Sequence, residues 1–333
     1  MKISGSIYSD KKRSLQETVK DLEAHQVDML HVDCNDDVSV FDDIAKIRDW
    51  CKLPIDLHII TETPEKYFDL LRKHPVEYVT FQFEQLPSKL EIPQDISGEK
   101  GLAIITPTSI EAFDKYSDFD FLLMMATIPG QSGGQFDPEN FRKIRAFKKK
   151  YPNKSVHVDG GVNGEVSFIL RNMGVHSSVS GSFLFKGASV GQALMDLTKR
   201  EIESRFMIKD FMIPREECPI IKKEGLTLER ILTSIETGSL GFAIIEDDGV
   251  MCGIVSNADV RKALLRNLDN IENMDPASMI NSNPVTIGAD ATVDEMLNEV
   301  RKQSFPVTYL PVIDHENNAA GIITFVNLIK GEI

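Results

Sequence analysis

A strict alternation of strand and helix patterns over roughly the first 200 residues limits this chain more than any other feature. Short runs rich in β-branched and aromatic residues fall at Ile3–Tyr8, Asp28–Asp33, Ile55–Ile59, Tyr78–Phe83, Gly101–Ile105, Phe119–Ala126, Ser155–Val158 and His176–Ser180. Helical patterns separate most of them, as at Ser14–His25, Pro64–Lys73, Ser109–Tyr116, Pro138–Tyr151, Gly164–Asn172 and Gly187–Arg205. Strands joined by crossover helices pair in parallel, and eight such units in about 200 residues predict a closed (β/α)8, or TIM, barrel. An open doubly wound sheet uses fewer strands and carries a glycine-rich first turn; the turn after the first strand here is Ser-Asp-Lys-Lys-Arg. The connection after strand four, with Pro87 and Pro93, carries no helical pattern and is expected to be irregular.

Beyond Ile208 the texture changes, and an approximate repeat of about 65 residues emerges. One copy runs from Asp210-Phe-Met-Ile-Pro through Leu240-Gly-Phe-Ala-Ile-Ile-Glu-Asp-Asp-Gly to Gly253-Ile-Val-Ser-Asn-Ala-Asp. The other runs from Ala277-Ser-Met-Ile through Tyr309-Leu-Pro-Val-Ile-Asp to Gly321-Ile-Ile-Thr-Phe-Val-Asn. Each copy reads strand, helix, strand, strand, helix, and two copies suggest a paired α+β module rather than a solenoid. The expected organisation is a barrel over 1–205 and a tandem module over 206–333, with halves at about 206–268 and 269–333.

Composition narrows the partners. The chain has 333 residues, 42% of them hydrophobic and 26% charged, which suits a packed protein of about two domains. No apolar run approaches the roughly 18 residues that span a bilayer, and the N-terminus Met-Lys-Ile-Ser-Gly-Ser has no signal-peptide stretch. Cys34, Cys51, Cys218 and Cys252 are scattered, so a reducing cytoplasm is the expected compartment. The net charge of −14 argues against nucleic acid and acidic membranes as partners. A small anionic substrate stays open, because backbone N–H groups bind phosphate locally.

The chemistry-bearing residues gather at strand ends. In Leu30-His31-Val32-Asp33 the period of two turns His31 and Asp33 the same way. Strand three brings Asp56-Leu57-His58, and strand seven ends Val158-Asp159-Gly160-Gly161-Val162. At the C-terminal mouth of a barrel, where such enzymes place their sites, two imidazoles and two carboxylates could converge on one divalent ion. Mixed N/O ligation suits Zn, Fe, Mn or Co. Any one of these residues alone reads as a cap or a satisfied polar group; four at three strand ends are harder to dismiss. His157 reads as packing, and His25, His74, His176 and His315 as solvent-exposed.

These motifs resemble the ribulose-phosphate 3-epimerase family. So do Lys2-Ile3-Ser4-Gly5-Ser6, Thr80-Phe81-Gln82-Phe83-Glu84, Gly101-Leu102-Ala103-Ile104, Gly133-Gly134-Gln135-Phe136 and Gly181-Ser182, all in the family's order. The resemblance implies that His31, Asp33, His58 and Asp159 hold a metal and that Asp33 and Asp159 are the acid/base pair. It also implies that Ser6 contacts a sugar-phosphate substrate and that Gly134, Gly160, Gly161, Gly181 and Ser182 hold its phosphate. The chain departs from the family at Asn35 and Ile60, where methionines are usual, with Met125 kept at a third position. Gln82 stands for a histidine, Asp36-Asp37 for Asp-Gly, and the loop Pro129–Gly134 is one residue longer. A retained epimerase acting on a different or modified sugar phosphate is one expectation, and a sugar-phosphate sensor that no longer turns over is the alternative. A decarboxylase is disfavoured because Asp33 is followed by Cys34 and Asn35 rather than by the Asp-x-Lys pattern.

The repeat resembles a tandem cystathionine-β-synthase (CBS) pair, similar in its first copy to the tails of arabinose-5-phosphate isomerases. That likeness implies an adenine or other nucleotide effector and a homo-oligomer. By it, Ser256 and Asp259 form one nucleotide half-site; Thr324 and Asn327 form a weaker one, lacking the carboxylate for the ribose.

Overall fold

The computed structural model describes residues 1–127, 133–198 and 205–330. Eight parallel strands close into one barrel: β1 Lys2–Ser6, β2 Met29–Asn35, β3 Ile55–Ile60, β4 Tyr78–Gln82, β5 Glu99–Ile105, β6 Phe121–Met125, β7 Ser155–Asp159 and β8 Ser177–Ser180, with β8 pairing back to β1. The order in space is the order in sequence, as the alternating pattern predicts. Around them lie α1 Leu15–Ala24, α2 Val40–Trp50, α3 Phe68–Lys73, α4 Glu139–Lys150, α5 Gly164–Asn172, α6 Ser182–Lys186 and α7 Val190–Thr198.

Local signals start several of these helices. Ser14 accepts the Glu17 N–H while the Glu17 carboxylate accepts the Ser14 N–H, a reciprocal cap on α1. Asn163 caps α5 through the Val166 N–H at 2.9 Å. The sequence patterns do not single out α2, because Ser39 offers no side-chain cap; Phe41, Ile44 and Ile47 nevertheless recur at helical spacing and are fully buried against the sheet. The stretch 64–73 begins as a 3-10 turn, Pro64–Tyr67, before α3, and 110–116 is 3-10 throughout. The connection after β4 holds only a short 3-10 turn, Phe83–Gln85, as its prolines predict. The end of the expected helix Gly187–Arg205 and the loop Pro129–Ser132 fall partly or wholly outside the described residues.

Outward strand residues such as Val32, Leu57, Val79, Phe81, Leu102, Leu122 and Val158 pack under the helices. Inward residues Met29, Tyr78, Ala103, Phe121, Leu123 and Met125 form a separate apolar plug inside the barrel. That plug closes the barrel below the polar residues of its mouth.

The second unit runs from 205 to Val326, while residues 327–330 group with the barrel. It contains α8 Ile208–Phe211, β9 Ile213–Pro214, β10 Ile220–Lys222, α9 Leu228–Gly238, β11 Phe242–Asp247, β12 Val250–Ser256, α10 Asn257–Arg266, β13 Ile287–Gly288, α11 Val293–Arg301, β14 Tyr309–Ile313 and β15 Ala319–Thr324, and α12 Val326–Lys330 follows. From β10 and from β13 onward, each copy keeps the strand, helix, strand, strand, helix order. One sheet is β10-β11-β12 and the other β13-β14-β15-β9, so the strand that opens the first copy completes the sheet of the second. Arg215, just after β9, grips the buried Glu246 carboxylate with both guanidinium arms and donates to Ala319 O at 3.1 Å. Phe242 and Tyr309, at matching positions of the two copies, stack at 3.9 Å.

Candidate active site

Register assembles the mouth of the barrel. Ser6 lies beside His31, His31 beside Asp56, Asp33 beside His58, and Met125 beside Asp159. Residues paired across parallel strands face the same way, so His31, Asp33, His58 and Asp159 from β2, β3 and β7 all turn into the barrel interior. Their ligand atoms all lie within 4.8 Å of one another. His31 Nε2 is 3.3 Å from Asp33 Oδ1 and 3.8 Å from Asp159 Oδ2, and His58 Nδ1 is 3.5 Å from Asp33 Oδ1. A tetrahedral ion with bonds of about 2.1 Å sets its ligands about 3.4 Å apart, close to the separations of Asp33 from the two histidines. Among the described residues the buried His58 Nδ1 has no partner at hydrogen-bonding distance, and it faces the cluster. The residues therefore fit a divalent cation.

Buried partners hold the ligands. His31 Nδ1 donates to Asp56 Oδ2 at 2.8 Å, and Ser4 Oγ donates to the same oxygen at 3.0 Å. Asp56, only 2% exposed, is the functional residue that the sequence reading left without a role. Its signal was available: it stands two residues before His58, hence on the same face.

Burial disfavours ionisation of Asp33, but the His31 charge and hydrogen bond, joined by His58, outweigh it and hold the carboxyl well below the usual range. Asp159 goes the other way. Burial first, then the Asp33 charge, push it up to about 6 against the pull of His31 and His58. Burial opposes charging His31 too, yet Asp56 and Asp33 hold its pKa well above the ordinary value. Two carboxyls sharing a cluster are thus driven to opposite protonation preferences.

The predicted phosphate turns divide into two groups. Gly134, Gly160 and Gly161 pack around Thr127 and Phe136; φ is +108° at Gly160 and +67° at Gly161, and a Cβ at Gly160 would overlap Thr127 Oγ1. Gly181 lies against Ser6 and Ser9, whose hydroxyls are 2.9 Å apart, and Ser182 begins α6. Asp36, in the left-handed region at φ +56°, accepts from Thr61, from Tyr67 and from Lys66 at 2.6 Å, joining the loops after β2 and β3.

His157 lies in the barrel interior, stacked on Phe121 at 4.1 Å and on His176 at 5.4 Å. His74 is half-buried against Phe41 rather than exposed, because α2 packs where the sequence reading placed no helix. In the repeat, Ser256 and Asp259 form the reciprocal cap of α10, Ser256 Oγ donating to Asp259 Oδ2 at 2.6 Å. Thr324 ends β15 opposite Tyr309, whereas Asn327 donates Nδ2 to Asn172 O at 3.0 Å.

Among the described residues no helix is long and apolar enough to cross a membrane. Residues 2–185 match the model of the ribulose-phosphate 3 epimerase family, and residues 277–332 match the CBS domain. The ribulose-phosphate 3-epimerase of Methanocaldococcus jannaschii is 29% identical over 227 residues, covering 64% of this chain and 95% of that protein. The enzyme of that name from Bacillus subtilis is 26% identical over 212 residues, 59% and 98% respectively. A crystal structure of CBSX2 in complex with AMP is similar to 38% of this chain and 96% of its own, at 18% identity and a TM-score of 0.33. These matches do not bear on the likeness to arabinose-5-phosphate isomerase tails. With the family model covering more than half of its length, the chain belongs to the ribulose-phosphate 3-epimerase family, an isomerase barrel joined to a CBS domain.

Proposed function

We propose that the barrel epimerises C3 of a ketose phosphate, ribulose 5-phosphate or a close relative, by proton transfer between two carboxyls through a planar enediolate. The orphaned Nδ1 of His58, inside a two-histidine, two-carboxylate cluster, carries this reading. A divalent ion held by His31, Asp33, His58 and Asp159 would polarise the substrate's oxygens and acidify its C3–H. Asp33, the more readily ionised of the two, takes the proton from one face; Asp159, pushed toward the protonated form by burial, returns one to the other. The two stand on β2 and β7 with β1 and β8 between them. Ser6, level with His31, contacts the substrate, and the turns at Gly134, Gly160–Gly161 and Gly181–Ser182 present backbone N–H groups to its phosphate. The protein works in the cytoplasm, where its four free thiols stay reduced.

The first CBS copy binds a nucleotide effector. Asp259 spends Oδ2 on the cap of α10 and keeps Oδ1 for ribose hydroxyls, with Lys262 Nζ 3.8 Å away. Asn327, turned to Asn172, leaves the second half-site weak.

The test is exchange of the C3 proton with deuterated solvent by metal-loaded full-length protein. Ribulose 5-phosphate or a related pentulose or hexulose phosphate should exchange, and Asp33→Asn and Asp159→Asn should each abolish it. Absence of exchange with every such sugar phosphate sinks the catalytic reading. Tight binding without exchange would favour the sensor. For the effector, AMP, ADP and ATP titrated by calorimetry should bind wild type and fail with Asp259→Ala.

A further inference from the structure

We propose that Gln82 is a positioning residue that selects the metal-binding tautomer of His58; this rests on the metal reading above. Gln82 ends β4, is 3% exposed, and places Oε1 2.9 Å from His58 Nε2. Two groups settle which end of the amide faces the histidine. The Gln82 nitrogen meets a Glu84 carboxylate oxygen and, at 3.5 Å, Ala103 O. Both are acceptors only, so the NH2 must point at them and the carbonyl at His58. Glu84 is itself held, its other oxygen accepting from the Ile105 N–H at 3.1 Å and from Thr108 Oγ1 at 2.5 Å.

A carbonyl facing Nε2 needs a proton there. Neutral imidazole carries one ring N–H, so a proton held on Nε2 leaves Nδ1 as a bare lone pair. Nδ1 is the nitrogen that enters the cluster, 3.5 Å from Asp33 Oδ1. Without Gln82 the competing tautomer gains, since an Nδ1–H can donate to the Asp33 carboxylate and so cover the atom that should bind the cation. His31 is set in the opposite sense by Asp56, which takes Nδ1–H and leaves Nε2 facing inward. The two histidines thus present different nitrogens to one point. A neutral amide does for His58 what a carboxylate does for His31, without adding a further buried negative charge.

The experiment uses the full chain, stripped of metal and titrated with cobalt(II), beside long-range 1H–15N spectra of the metal-free protein. Wild type should show His58 protonated on Nε2 alone. Gln82→Met, of similar volume but with no acceptor, should shift the proton toward Nδ1 and weaken cobalt binding about 10- to 100-fold. Glu84→Gln, at an exposed residue, frees the amide to turn over and should lose a smaller factor, about 3- to 10-fold, with a mixed tautomer spectrum. Gln82→Met with affinity within about threefold of wild type, or wild-type His58 protonated on Nδ1, overturns the proposal. Wild type that binds no cobalt removes the metal reading itself, a failure visible before any substitution is made.

Discussion

Replacing His157 with leucine should make the barrel more resistant to acid. The ring is 1% exposed and stacked on Phe121, and neither nitrogen finds a hydrogen-bond partner among the described residues. Burial is the largest influence on it and, despite the attraction of Asp56, lowers its pKa from 6.5 to about 3. The folded state keeps His157 neutral while the unfolded chain protonates it, so the unfolded state binds more protons between those two values. Stability therefore rises with pH across that window and is lost as pH falls from 6.5 toward 3. At about 1.4 kcal/mol per unit, the loss reaches about 2 kcal/mol at pH 5 and is negligible at pH 7.5. Leucine also changes the packing, but that cost does not vary with pH, and Asp56, which despite its burial is held below the usual carboxylate range by His31, stays ionised between pH 7.5 and pH 5. Trp50, the only tryptophan, sits at the end of α2, so its fluorescence in urea reports the barrel. The difference in unfolding free energy, His157→Leu minus wild type, should become more favourable by about 2 kcal/mol between pH 7.5 and pH 5. A change below about 0.5 kcal/mol, or of opposite sign, would show that the folded state accommodates the imidazolium and would refute the reasoning.

Three other outcomes follow from the same contacts. Asp56→Asn removes the charged acceptor of His31 Nδ1 and should weaken divalent-metal binding about 10- to 100-fold in chelator competition, with Trp50 still reporting a folded barrel. Gly160→Ala combines φ +108° with an overlap on Thr127, and should destabilise the barrel by about 2 kcal/mol or more in urea titrations. A chelator should stop C3 exchange and lower the melting temperature of the barrel, and a divalent ion added at about 100 times its dissociation constant should restore about 2.7 kcal/mol.

Much of this was legible in the chain because it depends on short-range periodicity. Alternating strand and helix patterns name a parallel barrel, and a period of two sends His31 and Asp33 to one face whatever surrounds them. The irregular stretch after β4 follows from its prolines. Helix α2 was also written at 41, 44 and 47, but without a cap to mark its start it did not stand out from the acidic loop before it. The repeat announced its own element order.

What the sequence leaves open is which residues meet across strands. Asp56 becomes the partner of His31 only because β2 and β3 pair in a register that sets those two side by side. Gln82 faces His58 by the same kind of accident of neighbouring strands, and its orientation depends on Glu84, Ala103 and the backbone of Ile105. β9 leaves its own copy to complete the other sheet, and Asn327 hydrogen-bonds the end of a barrel helix at Asn172. Side-chain direction along one strand is a local property of the L-peptide backbone and can be read off a string of letters. Hydrogen-bond partners, tautomers and the sharing of charge among buried carboxyls depend on distances of about 3 Å between residues far apart in sequence, and only the closed barrel supplies those.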